Sequence, residues 1–279
     1  MSIQDVLGDR RWLVLTGAGV STDSGIPDYR GPGSPVRTPM TYQEFARTPE
    51  ARQRYWARAH VGWTRMSHAE PNATHTALAA MAKHGRLTGL ITQNVDGLHG
   101  RAGHPDVIDL HGRIDRVICL SCRETSHRSE LHDRLAALNP GYEHRIGEIA
   151  PDGDVVLDET SDFVLAGCRT CGGDLKPDVV FFGENVPKER VARCFALVER
   201  AESLVVLGSS LQVMSGLRFV KAAAKRGIPV VIVNRGVTRG DDLASLKLEA
   251  GCAETLADVL RASIHEDDVQ NGRESVPSS

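Results

Sequence analysis

The chain has 279 residues, 41% of them hydrophobic and 25% charged, with a net charge of −3, which fits one large or two modest globular domains. A balance so close to neutral gives no general attraction to nucleic acid or an anionic membrane, and no apolar run reaches the ~18 residues that a spanning helix needs. The N-terminus, MSIQDVLGDRRW, has neither the apolar core of a secretory signal nor the acid-poor character of a transit peptide, so a cytoplasmic protein is expected.

Five short runs rich in valine, isoleucine and leucine read as buried strands: WLVLT (12–16), LTGLIT (87–92), DVIDL (106–110), SLVVLG (203–208) and PVVIV (229–233). Helical patterns over 73–84, 188–201 and 216–226 precede the second, fourth and fifth of them. Strands alternating with helices predict an α/β fold, a Rossmann-like doubly wound parallel sheet.

The residues after each strand are the informative ones. They are Gly17-Ala18-Gly19, then Gln93-Asn94-Val95-Asp96, then His111-Gly112, then Gly208-Ser209-Ser210, and last Asn234-Arg235-Gly236. In an open α/β sheet ligands bind outside the carboxyl ends of the strands, so all five clusters are expected along one edge, as a site. The first loop opens like a dinucleotide turn, with glycines that let the backbone approach a pyrophosphate and a helix expected to begin near Val20. Two features depart from a dehydrogenase. Thr22 stands where the third glycine belongs, and the region that should close a second strand on an acidic residue is the proline-rich GPGSPVRTP, 31–39.

Cys119-x-x-Cys122 and Cys168-x-x-Cys171 form two pairs in a chain without a secretory signal, a pattern of metal binding rather than disulfides. Four thiolates with no open-site ligand predict one closed, structural zinc ion, in a smaller domain inserted between the third and fourth strands. Cys194, on a helical pattern, is expected in the core. His111 has two readings: a satisfied structural residue, or a general base whose ordinary pKa near 6.5 suits proton transfer at neutral pH.

Together GAGVSTDSGIPDYRG, TQNVDGLH, the DLHG histidine, the paired C-x-x-C, KPDVVFFGE, GSSLQV and the late Asn-Arg-Gly resemble the sirtuins, NAD-dependent protein deacylases, in order from about residue 10 to 260. YWARAHVGW, APDGDV and DDLASLKL are similar to the class II branch. The resemblance implies an NAD-binding domain over 1–38, 72–114 and 176–265. It further implies a small helical and zinc-binding domain over 39–71 and 115–175, and a disordered tail over 266–279. It places Gly17, Ala18, Gly19, Ser21, Thr22, Gly25, Ile26, Pro27, Asp28, Tyr29 and Arg30 around NAD. Tyr29 stands where many members carry phenylalanine. Gln93 and Asn94 resemble the ribose contacts, Val95 and Asp96 the nicotinamide pocket. Gly208, Ser209, Ser210, Asn234, Arg235, Gly236 and Cys252 resemble the phosphate and adenosine contacts.

Val180, Phe181, Phe182, Gly183 and Glu184 resemble the strand that pairs with an acyl-lysine peptide. His111, assisted by Asn94, is implied as the catalytic pair, with free lysine, nicotinamide and O-acyl-ADP-ribose as products. In another branch a Tyr-x-x-Arg pair reads an acidic acyl chain, and Tyr55 and Arg58, three apart on a helical pattern, are candidates for that role. The expected partners are NAD and acyl-lysine proteins or peptides, with no nucleic acid and no membrane, and with the chain acting as a monomer. Two other readings stand beside deacylation: mono-ADP-ribosylation of a protein at the same NAD site, and a zinc-ribbon module that senses NAD without turnover.

Overall fold

The computed structural model describes residues 2–29, 39–145, 155, 157 and 159–260. Arg30, most of the 31–39 loop, residues 146–154 of the insertion and the tail from 266 lie outside them. The helices are α1 (Ile3–Leu7), α2 (Tyr42–Arg47), α3 (Pro49–His68), α4 (Ala73–Lys83), α5 (Leu98–Arg101), α6 (Arg128–Leu138), α7 (Lys188–Arg200) and α8 (Met214–Lys225). None of them is long and apolar enough to cross a membrane.

The large sheet has six parallel strands: β1 (Trp12–Thr16), β2 (Leu87–Thr92), β3 (Val107–Asp109), β7 (Ser203–Leu207), β8 (Val230–Val233) and β9 (Leu246–Leu248). Their order is β3-β2-β1-β7-β8-β9, which is the Rossmann order. All five expected strands form; β9 is a sixth, half-buried edge strand that the sequence pattern does not reveal. Alternation within the strands splits the core in two. Leu13, Leu15, Val206 and Ile232 face α7 and α8 through Leu197, Phe219 and Val220. Trp12, Val14, Val205 and Val231 face α1, α4 and the helical residues 252–260 through Leu7, Leu78 and Leu256.

Between β3 and β7 the chain makes a second, antiparallel sheet of β4 (Gly112–Cys119), β5 (Thr125–His127) and β6 (Leu175–Val179), ordered β5-β4-β6. Phe45, Tyr55, Trp56, Val117, Leu131, Phe163 and Phe181 pack together against it. The helices α2 and α3 start sharply for local reasons. Thr41 and Thr48 cap them, each accepting from the backbone amide three residues on, and Pro49 occupies the first turn of α3.

Candidate functional site

The strand order reverses between β1 and β7, the point where such sheets leave a crevice at their carboxyl ends. The loops after these two strands meet there, backbone against backbone. A Cβ on Gly17 would stand 2.7 Å from the Ser209 Cβ and 2.8 Å from the Gly208 carbonyl oxygen, and one on Gly19 would stand 3.0 Å from the Gly208 Cα. Gly208 itself has φ +59 and would place a Cβ 2.6 Å from the Val20 amide. The glycines are therefore fixed by each other as much as by any ligand. No α-helix begins at Val20. Two 3-10 turns, Ala18–Val20 and Thr22–Ser24, follow instead, so the expected helix N-terminus beneath a pyrophosphate is corrected to single turns of backbone amides. The cause is local: the first turn closes through Val20 N–H to the Gly17 carbonyl, and the next through Ser24 N–H to the Ser21 carbonyl.

A cavity of about 770 Å³ opens over this point, within the range of small-molecule sites. Its wall gathers residues from every predicted cluster: Gly17, Ala18, Gly19, Ser21, Thr22, Ile26, Asp28 and Tyr29 from the first loop, Gln93 to Asp96 from the second, and His111. Gly208, Ser209, Ser210, Asn234, Arg235, Gly236 and Cys252 close the far side, and Val180, Phe181 and Phe182 the near side. Tyr29 meets Phe182 edge-on, with ring centroids 6.1 Å apart. Gly25, Pro27, Gly183 and Glu184 lie off the wall; Glu184 pairs instead with buried Lys176 at 3.1 Å. Tyr55 reaches the cavity from α3, whereas Arg58 is not among the lining residues, and its Nε donates to the Val155 carbonyl at 2.6 Å. Leu211, Gln212 and Val213 also line the wall; they continue the GSSLQV run, the one signal that could have found them.

Hydrogen bonds fix the polar floor. Asn94, 9% exposed, donates through Nδ2 to the Gly17 carbonyl and to Ser21 Oγ, both at 3.0 Å. Ser21 in turn donates to Asp96 at 2.7 Å, and Asp96 accepts the Leu98 amide at 2.9 Å. Beneath them Thr16 donates to Thr92 at 2.8 Å and faces His99 Nε2 at 3.0 Å. Thr92 accepts the Asn94 amide at 3.1 Å. Burial pushes the pKa of His99 well below its ordinary range, so its ring is neutral.

His111 sits where β3 passes into β4. Its Nδ1 lies 2.8 Å from the Gln93 carbonyl, which can only accept, so the proton resides on Nδ1 and the lone pair on Nε2. Ser215 Oγ stands 2.7 Å from that lone pair. Burial lowers the pKa of His111 below 6.5; the Gln93 carbonyl works against this, and Arg190 and Arg218 add to the lowering. The ring is therefore a neutral acceptor at pH 7. Gln93 is held in turn by Ser209, which donates to its Oε1 at 2.7 Å.

The four predicted cysteines converge at the far end of the antiparallel sheet, all sulfurs within 4.8 Å of one another. Cys119 and Cys171 approach to 3.5 Å, Cys122 and Cys168 to 3.7 Å. Sulfurs placed tetrahedrally about 2.3 Å from one ion stand about 3.8 Å apart, so the spacing fits zinc, and it is far too long for disulfides, whose sulfurs lie about 2 Å apart.

A family model described as the Sir2 family matches residues 17–215. The chain is 57% identical over 257 residues to NAD-dependent protein deacetylase 1 of Mycobacterium avium, covering 90% of this chain and 91% of that one. It is 58% identical over 246 residues to NAD-dependent protein deacetylase 1 of Streptomyces coelicolor, covering 87% and 82%. Among solved structures, one described as Sir2 with a p53 peptide and NAD+ aligns with a TM-score of 0.75 at 33% identity, over 93% of this chain and 96% of that one. Another, Sir2 bound to an acetylated peptide, aligns with a TM-score of 0.73 at 31% identity, over the same shares.

Proposed function

The chain belongs to the Sir2 family, and from that premise we propose the following reading of its chemistry. It is an NAD-dependent protein-lysine deacylase, with NAD and an acyl-lysine peptide as its two substrates and a structural zinc ion held by Cys119, Cys122, Cys168 and Cys171. The zinc ties the insertion together and supplies no step of the reaction.

NAD supplies the electrophile, the C1′ carbon of a ribose whose nicotinamide leaves as the acyl oxygen arrives. The protein's own part is division of labour along the cavity. The loops at Gly17–Gly19 and Gly208–Ser210 are the segments that face the phosphates, with the Gly17, Gly19 and Gly208 amides spent on the Leu207, Gly208 and Val233 carbonyls that hold the two loops in place. Asn94 and Asp96, locked through Ser21, shape the polar pocket for nicotinamide and ribose. Tyr29 and Phe182 close an aromatic wall that keeps water from the reacting carbon. Phe181 and Tyr55 line the side from which an acyl-lysine chain enters, and Val180 to Glu184 is the segment offered to the peptide backbone.

The observation that carries the reading is the state of His111: a buried, neutral imidazole on the cavity wall with its proton fixed on Nδ1 and its lone pair on Nε2. That is the form a general base must have before it removes a proton from a ribose hydroxyl. The test is incubation with NAD and acetyl-lysine peptide, read by mass spectrometry. Free-lysine peptide, nicotinamide and O-acetyl-ADP-ribose are expected in equal amounts. A peptide that gains ADP-ribose and keeps its acetyl group would establish the transferase reading instead.

A further inference from the structure

Nε2 of His111 has one lone pair, and in the ligand-free protein it is already engaged by Ser215 Oγ at 2.7 Å. Ser215 is the second residue of α8 and 9% exposed. The N-cap of α8 is Val213, so no side chain caps the helix, and the Ser215 hydroxyl faces the histidine. Ser215 is not on the cavity wall, so it acts on the reaction only through His111.

We propose that Ser215 is a positioning residue for the base: its hydroxyl holds the Nε2 lone pair in the resting protein and turns to accept the Nε2–H once His111 has taken the ribose proton. This rests on the reading of His111 as the base. A hydroxyl is the group suited to both duties, having one proton to donate and two lone pairs to accept with. The balance is simple. The ribose O–H bond breaks, an N–H bond forms at Nε2, and the alkoxide carries its electron pair to the imidate carbon. As the alkoxide departs, the new N–H loses its partner, and Ser215 Oγ is in reach to replace it.

The surroundings make that acceptor matter. Arg190 of α7 and Arg218 of α8 are the charged side chains acting on the ring, and the first turn of α8 adds the positive end of a helix dipole. All three disfavour an imidazolium. The Gln93 carbonyl stabilises it from the Nδ1 side, and Ser215 does so from the other. The two contacts also fix the ring plane.

The test uses the full chain with Ser215→Ala, Ser215→Thr and His111→Ala. In ligand-free, 15N-histidine-labelled protein, Ser215→Ala is expected to move the Nε2 resonance of His111 and leave Nδ1 nearly in place, with Ser215→Thr close to the parent. In turnover, nicotinamide exchange into NAD, which precedes proton removal, is expected to stay near the parent rate in Ser215→Ala. Deacylation should fall about 2- to 12-fold, the worth of one hydrogen bond. An unmoved Nε2 resonance, or exchange and deacylation falling together, overturns the proposal. His111→Ala separates the two readings: if it deacylates like the parent, the base assignment fails whatever Ser215 does to the resonance.

Discussion

Two glycines beside the cavity are glycines for different reasons, and alanine substitution distinguishes them. Gly17 has φ −134 and ψ −173, extended backbone that any residue adopts, so Gly17→Ala costs nothing in conformation. Its Cβ, however, would lie 2.7 to 2.9 Å from Ser209 Cβ, Gly208 O and Ser209 Cα. Two of these are backbone atoms of a loop that follows a fully buried strand, so the relief must come from parting the loops after β1 and β7. Overpacking of this kind costs about 1–3 kcal/mol, or roughly 2–10 °C in Tm for a chain of this size. Because the same loops are assigned to the phosphates, NAD affinity should drop about tenfold or more, a loss of at least ~1.4 kcal/mol. Gly236 is the contrast: φ is +88 and nothing lies within 4 Å of its Cβ position. Gly236→Ala should cost about 1–2 kcal/mol of backbone strain with no displacement of the loops after β1 and β7. Calorimetric melting and titration with NAD give both quantities. An unchanged Tm and NAD affinity in Gly17→Ala would refute the argument that the two loops are closed on each other through this position.

His111→Ala should lower deacylation about 10²–10⁴-fold while NAD still binds, measured by steady-state rates and titration calorimetry. Because burial lowers the pKa of His111 and the base acts when neutral, the acid limb of kcat/KM should fall below pH 6.5, with activity level above it and lost as pH falls through the folded pKa. Cys119→Ala should bind substoichiometric zinc by atomic absorption and melt lower than the parent, since a closed zinc site contributes folding energy directly. His60 stacks on His132 at 4.4 Å, and burial first, then His132 and Arg128, push its pKa from 6.5 to about 4. A histidine depressed on folding stabilises above its unfolded pKa. Tm should therefore decline as pH drops from 6.5 towards 4, and less steeply in His60→Phe.

The large sheet was legible because its strands are hydrophobic on both faces, as in WLVLT and SLVVL, where every residue is buried. The small sheet was not. Its strand LKPDV carries a proline and two charged residues, and a pattern reading has no way to know that Lys176 is buried against Glu184 and backbone carbonyls. β9 is three residues of half-buried edge, too short to show a period. At the site, residue types announced themselves loop by loop, but their couplings did not. Asn94 meets Gly17 across 77 positions and His111 meets Ser215 across 104. Tyr55 and Arg58 illustrate the limit from the other side. Helical spacing put them on neighbouring positions, yet only Tyr55 lines the cavity, because Arg58 finds the Val155 carbonyl of the insertion.

The same long-range pairing connects the cysteine cluster to the cavity. β4 is eight residues long, about 26 Å of extended chain. It starts next to His111 and ends on Cys119, while its partner β6 starts four residues after Cys171 and leads into the Val180–Glu184 segment. Near the cavity the ladder pairs Gly112 with Val179, and Val180 N–H donates to the His111 carbonyl at 2.7 Å. Gly112, at φ +80, tolerates no side chain, since a Cβ there would run into the Asp178 carbonyl. This local pairing thus sets the distance between His111, proposed as the base, and the Val180–Glu184 segment, proposed to face the peptide. The ladder shifts register between Gly112 and Val117, and beyond the shift Cys119 stands opposite Leu175 with the other three cysteine sulfurs close by. The cysteine cluster and the cavity thus share one strand pair, and the backbone of His111, rather than its ring, is the point where that pair meets the cavity.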